Sequence, residues 1–257
     1  MKKLFALTFL FIACNNENKS GTEKTAQGAT DKKENSSTSG CSKMVFFREG
    51  AEIDTKTYDG GGKETGSQHT KIVSVKDEAG MTVATAESTN DKDSTTNKPP
   101  SSVTYKCDGN KIYVDVASML NGAGKDRGGK FEASPIEYPI NISEGETLPD
   151  ATGTMNMETR GKSMTVTYHF KNRKVEGKEE VTTPAGTWTC YKISHSIETE
   201  MDIPGMDERM KKAMDAMKDK IKTTSVTWFA PDLGVLKSAT YQNGKLISSN
   251  EIVGVKK

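Results

Sequence analysis

Residues 163–197 read SMTVTYHFKNRKVEGKEEVTTPAGTWTCYKISHSI. Met164, Val166, Tyr168 and Phe170 occupy every second position, with Thr and His between them. A repeat of two places those side chains on one face of a strand, where they can be buried together. Pro184-Ala185-Gly186 then turns the chain tightly, and residues 186–197 form a second β-rich run. Two such runs around a Pro/Gly corner make an antiparallel hairpin.

The same grammar recurs along the chain. Residues 71–75 (KIVSV) and 81–85 (MTVAT) flank the Asp77-Glu78-Ala79-Gly80 turn. Residues 111–116 follow Asp108-Gly109-Asn110, and residues 241–247 contain Asn243-Gly244, a strong hairpin signal. Gly145 with Pro149, and Gly234 before Val235-Leu236, mark further corners. Short alternating strands with short connections predict a mainly β fold. The expected architecture is an antiparallel meander of about ten or more strands, in a strongly curved sheet, either a half-barrel or an open barrel. Two stretches interrupt it: the polar segment 90–102 with Pro99-Pro100, and the Gly-rich segment 121–130, which follows a short helix near 116–120.

One longer helix is expected at 207–222. Met206, Met210, Met214, Met217 and Ile221 recur at helical spacing, with acidic residues at its start and lysines at its end. Such a stripe either seals the concave face of a curved sheet or forms a movable lid over an apolar groove, where flexible Met side chains adapt to a ligand. The expected arrangement packs this amphipathic helix on the sheet. Met206, Met210, Met214, Met217 and Ile221 are then the candidate ligand-binding residues, with Trp188 and Trp228 as walls.

The N-terminus reads as an address. Met1-Lys2-Lys3 precedes the apolar run 4–12, which is too short to span a bilayer. Ala13-Cys14 resembles the cleavage point of a bacterial lipoprotein, although Phe11 stands where Leu is usual. An ordinary signal peptide with a chance Cys is the competing reading. The expected organisation is a signal peptide at 1–13, a lipidated Cys14 with a polar tether at 14–41, and one β domain at 42–257. The tether carries too little apolar surface to offset its conformational entropy. Several acyl chains on Cys14 would make the membrane a permanent partner. The expected location is the cell envelope, at the outer membrane, with the periplasmic and surface faces both open.

Composition narrows the chemistry. Among 257 residues, 36 are Lys or Arg and 35 Asp or Glu, which leaves no basic footprint for nucleic acid. Three His residues and four Cys residues are scattered, without the spacing of a metal site. No nucleotide loop or nucleophile elbow is present; Gly60-Gly61-Gly62-Lys63 reads as a hairpin turn rather than a phosphate loop. No cofactor, metal or catalytic residue is expected, and the protein reads as a non-enzyme. With Cys14 lipidated, Cys41, Cys107 and Cys190 are the disulfide candidates. Cys41 is favoured as one partner, because a bridge there would pin the first strand.

Several longer stretches carry a family resemblance. They include Phe46-Phe47-Arg48-Glu49-Gly50 with Tyr58 to Lys63, Tyr105 to Gly109, Gly145 to Ala151, Asn172 to Glu179, Thr182 to Ile193, and Trp228 to Ser238. Together they resemble the TapB-like exported proteins and lipoproteins of Bacteroidota, related to a broader domain of unknown function in secreted bacterial proteins. The resemblance implies an exported β-rich domain, like the half-barrels of lipoprotein carriers, and transfers no catalytic residue. The function expected is non-catalytic binding or carriage of an apolar or amphipathic envelope ligand. The alternative is a structural or protein-interaction module in envelope assembly, recruiting an envelope protein.

Overall fold

The computed structural model describes residues 40–91, 100–115, 117, 130–159, 162–218 and 221–257. The signal peptide, Cys14 and almost all of the tether lie outside the described residues, as do most of the polar segment 90–102, the Gly-rich segment 121–129 and most of the short helix expected at 116–120.

Among the described residues, thirteen strands make one antiparallel sheet. They are β1 (Glu52–Asp59), β2 (Glu64–Glu78), β3 (Met81–Asn90), β4 (Ser101–Cys107), β5 (Lys111–Asp115), β6 (Lys130–Ala133), β7 (Ile136–Pro139), β8 (Ala151–Thr159), β9 (Lys162–Thr183), β10 (Gly186–Asp202), β11 (Thr223–Ala230), β12 (Gly234–Gln242) and β13 (Lys245–Lys256). Their order is β6-β8-β9-β10-β11-β12-β13-β1-β2-β3-β4-β5-β7. The first strand therefore lies in the middle of the sheet, laced to the last through Glu52↔Lys256 to Asp59↔Ser248. The hairpins turn where the sequence says they should. Ala79 and Gly80, at φ 50° and 82°, close β2–β3, and Asn243 and Gly244, at 50° and 78°, close β12–β13. Two successive positive φ values match the twist of the flanking strands.

The two edge strands fix the curvature. β6 and β7 lie at opposite ends of the sheet order, yet only Ser134 and Pro135 separate them in the chain. Three Cα steps can span at most about 11 Å. A flat sheet of this many strands would hold its edges roughly 58 Å apart, at about 4.8 Å per strand. The sheet must therefore curl strongly, and it forms the half-barrel expected, with a seam at Ser134-Pro135 where β6 and β7 do not pair.

The chain N-terminal to β1 fills one end of the concave face. Two short 3-10 turns, Cys41–Lys43 and Val45–Phe47, bring in Met44, Val45 and Phe47, all 5% exposed or less. The Val45 N–H donates to the Asp232 carbonyl at 3.0 Å. Phe46 packs on Tyr105 with ring centroids 4.6 Å apart and planes tilted by 41°, and its ring lies 2.8 Å from where a Cβ on Gly234 would be. Gly234 has φ 101°, so a side chain there would meet both backbone strain and the ring. A disulfide joins Cys41 to Cys107 at the end of β4. Cys41 is fully buried, so packing begins at least one residue before the boundary expected at 42.

The expected helix forms over Glu208–Lys218, which is labelled α1. Asp207 caps it by accepting the Met210 N–H at 2.8 Å. Its described part does not seal the sheet: Met210 is 58% exposed, Ile221 beyond it is 41% exposed, and Met206 before it is half-buried. The side chains of Met214 and Met217 lie outside the described residues. Among the described residues, the segment against the concave face is the disulfide-pinned Met44–Phe47 turn, because it packs on Tyr105 and Gly234 from inside the curl.

Candidate functional site: a two-toned cavity in the half-barrel

The concave face encloses a cavity of about 1030 Å³. That volume is at the upper end for small-molecule sites, which run to roughly 1,000 Å³. Strand alternation brings its wall residues inward, and the wall has two chemically different halves. Near the N-terminal turn it is apolar, built from residues such as Met44, Phe47, Ile53, Phe229 and Leu236. Away from the turn, Thr57, Asn250, Ser238, Thr240, Ser225 and Thr227 line it from β1 and β11–β13, with Phe170 and Ile197 of β9 and β10 as apolar residues at that end. Thr57, Asn250 and Ser238 bond in a chain, and Ser225 bonds to the backbone. Thr57 Oγ1 donates to Asn250 Oδ1 at 2.7 Å, Asn250 Nδ2 donates to Ser238 Oγ at 3.3 Å, and Ser225 Oγ donates to the Ala239 carbonyl at 3.2 Å. With these hydrogen bonds made internally, Thr57, Asn250, Ser238 and Ser225 cost little to bury.

A β-bulge sets the chemistry between the two halves. Ser194 pairs with Lys174, but Ser196 pairs with Lys171, so His195 faces both Asn172 and Arg173. Asn172 takes φ 56° at this point, and its N–H donates to Asp150 Oδ1 at 3.1 Å. The extra residue offsets the alternation of β9 and lets both Arg173 and Phe170 reach the cavity wall. Arg173 is 3% exposed. Its Nη1 donates to the Pro149 carbonyl at 2.8 Å, and its Nη2 to the Glu137 carbonyl of edge strand β7 at 2.9 Å. Its guanidinium lies 5.2 Å from the Tyr138 ring centroid, and Tyr138 stacks on Phe229 at 4.8 Å. Burial lowers the pKa of Arg173 and raises that of Tyr138. Burial, and then the charge of Arg173, holds His195 down at about 4, so its imidazole on the wall is neutral at physiological pH.

Several residues singled out in the sequence lie elsewhere. Neither Trp188 nor Trp228 is on the cavity wall; both pack against the buried core. Trp228 donates its indole N–H to Glu179, with Lys192 and Lys237 over its ring, and Trp188 folds back over Gly186. Met206, Met210 and Ile221 are also off the wall. Cys190 is a buried free thiol, pushed up to about 11 by burial. The Gly60–Gly62 turn is held by its own carboxylate: Asp59 Oδ1 accepts the Gly61 and Lys63 N–H groups, which a phosphate would need. The wall residues were hidden in the sequence because Ser and Thr on an inward face erase the alternation that marks a strand. Arg173 stood only inside a family motif; the nearby Asn172 in a strand run was the available signal for a bulge.

The site is thus a curled antiparallel half-barrel whose concave face is filled at one end by the N-terminal turn. The chain belongs to the DUF3108-like family, whose model matches residues 48–252. The narrower TapB-like assignment is not reached by that match. Two solved structures share the fold. One is a protein from Bacteroides fragilis, named as exported and as having a YmcC-like fold, with TM-score 0.58 and 19% identity over 83% of this chain and 100% of that one. The other is a protein from Parabacteroides distasonis named as a lipoprotein, with TM-score 0.61 and 18% identity over 83% of this chain and 99% of that one. No curated protein matches the chain.

Proposed function

We propose that the protein is a lipid-anchored component of the bacterial cell envelope that binds or carries an amphipathic ligand in its half-barrel, without catalysing a reaction. The observation that carries this reading is the cavity of about 1030 Å³ with one apolar and one hydroxyl-lined half. Burying an alkyl chain against the apolar half contributes about 0.8 kcal/mol per methylene. The ordering cost of association offsets much of that sum. The hydroxyl-lined half suits the polar part of the same molecule. The export signal at 1–13, the Cys at 14 and the exported and lipoprotein names of the fold relatives support the envelope location. The outer membrane and the TapB-like relationship belong to this same reading. A protein partner docking on α1 is the second reading, favoured by the exposure of Met210.

Two variants test the proposal. Cys14→Ser should move the chain from the membrane to the soluble fraction; full retention on membranes would contradict the anchor. Thr240 is half-buried on the polar wall, with room for a larger group. In a soluble Cys14→Ser background, Thr240→Trp should weaken binding of dodecanol at least about tenfold by titration calorimetry, with unchanged melting temperature. Unaltered affinity would remove the cavity from the account.

A further inference from the structure

Arg173 is a charge placed where an amphiphile would meet it. It is 3% exposed, lies on the cavity wall, and among the described residues forms no ion pair with a carboxylate. Its two hydrogen bonds go to the neutral carbonyls of Pro149 and Glu137, and its face is covered by Tyr138. Five N–H donors and a full positive charge thus meet two carbonyl dipoles and Tyr138, while the carboxylates of Glu137 and Asp150 act on the charge only from beyond ion-pair distance. A buried guanidinium is normally compensated by an anion, because desolvating an unpaired charge is costly. The other wall groups do not supply one. Asp91 accepts from Ser67, Glu251 pairs with Lys237 at 3.6 Å, and His195 is neutral and beside Arg173 in the same bulge. The same wall also carries the apolar side chains of Phe229, Ile193 and Phe170.

We infer that the half-barrel selects an amphiphile with an anionic headgroup, a carboxylate or a phosphate, which Arg173 binds while the apolar wall takes the alkyl chain. Arg173 thus has two linked roles: it ties β9 to edge strand β7 across the seam, and it presents charge to the ligand. This inference rests on the proposed ligand-binding reading, and supplies the class of ligand.

The test uses the full chain carrying Cys14→Ser, so that no detergent competes. Laurate, dodecyl phosphate, dodecanol and inorganic phosphate are titrated separately by calorimetry. Laurate and dodecyl phosphate should bind at least about tenfold tighter than dodecanol. Arg173→Gln should bring that ratio close to one while dodecanol binding persists, and Arg173→Lys should keep part of it. Arg173→Gln also removes the bond to Glu137 across the seam and the one to Pro149, so the ratio in the chain that retains Arg173 carries the test if the variant fails to fold. Equal binding of laurate and dodecanol would overturn the inference and leave the ligand-binding reading standing. Absence of binding by every alkyl probe would overturn both. Inorganic phosphate binding as tightly as dodecyl phosphate would assign Arg173 to a free anion and overturn the headgroup.

Discussion

Replacing both Cys41 and Cys107 with Ser is expected to lower the stability of the domain by about 4 kcal/mol, and its melting temperature by about 10 °C. The bridge joins residues 66 apart in the chain. Without it, the unfolded chain regains the freedom of a long loop, and the entropy of closing such a loop sets the magnitude. The folded state also loses the tie that holds the N-terminal turn in place. Met44, Val45 and Phe47 are buried only while that turn stays inside the curl. The variant should therefore expose the apolar end of the cavity, read as increased binding of a hydrophobic dye below the melting transition. A double variant melting within about 2 °C of the unaltered protein would show that the turn is held by packing alone.

Phe229→Ala is expected to cost about 4 kcal/mol in denaturant unfolding, within the range for removing a buried aromatic ring. Phe229 is 1% exposed and stacks on Tyr138 with ring centroids 4.8 Å apart and planes 2° apart. Tyr138 in turn supports the guanidinium of Arg173. The ring thus joins the core of β11 to edge strand β7, so the loss should exceed that of an isolated core residue of equal size. Phe229→Leu keeps much of the volume and should cost clearly less. A loss below about 1 kcal/mol for Phe229→Ala would mean that the seam does not depend on this stack.

The two variants also mark what could and could not be read from the sequence. The hairpins were legible because each depends on neighbours in the chain. Alternation in residues 163–170 and the Asn243-Gly244 turn are local signals with a local cause. The curl follows from a non-local fact: residues 133 and 136 belong to opposite edges of the sheet. No propensity records that. The helix was legible at its centre, where Met210, Met214 and Met217 lie within Glu208–Lys218, but it is shorter than the 207–222 expected, and Met206 and Ile221 fall outside it. Spacing does not say what the face meets, and Met210 meets solvent. The buried turn at residues 44–47 offers too few residues to show a period, so its role emerged only from packing. Arg173 was obscured for a related reason. A bulge shifts the side-chain phase of β9, and a sequence read with strict alternation places a charged residue there on the outside.

The most direct test of the central claim is mass spectrometry of organic extracts from the full chain, purified natively from a bacterial envelope beside a matched unrelated lipoprotein. The account predicts one enriched amphiphile, near one molecule per chain, that is depleted in Thr240→Trp. A folded protein whose extracts match those of the control would contradict it, and would turn attention to α1 as a docking surface for a protein.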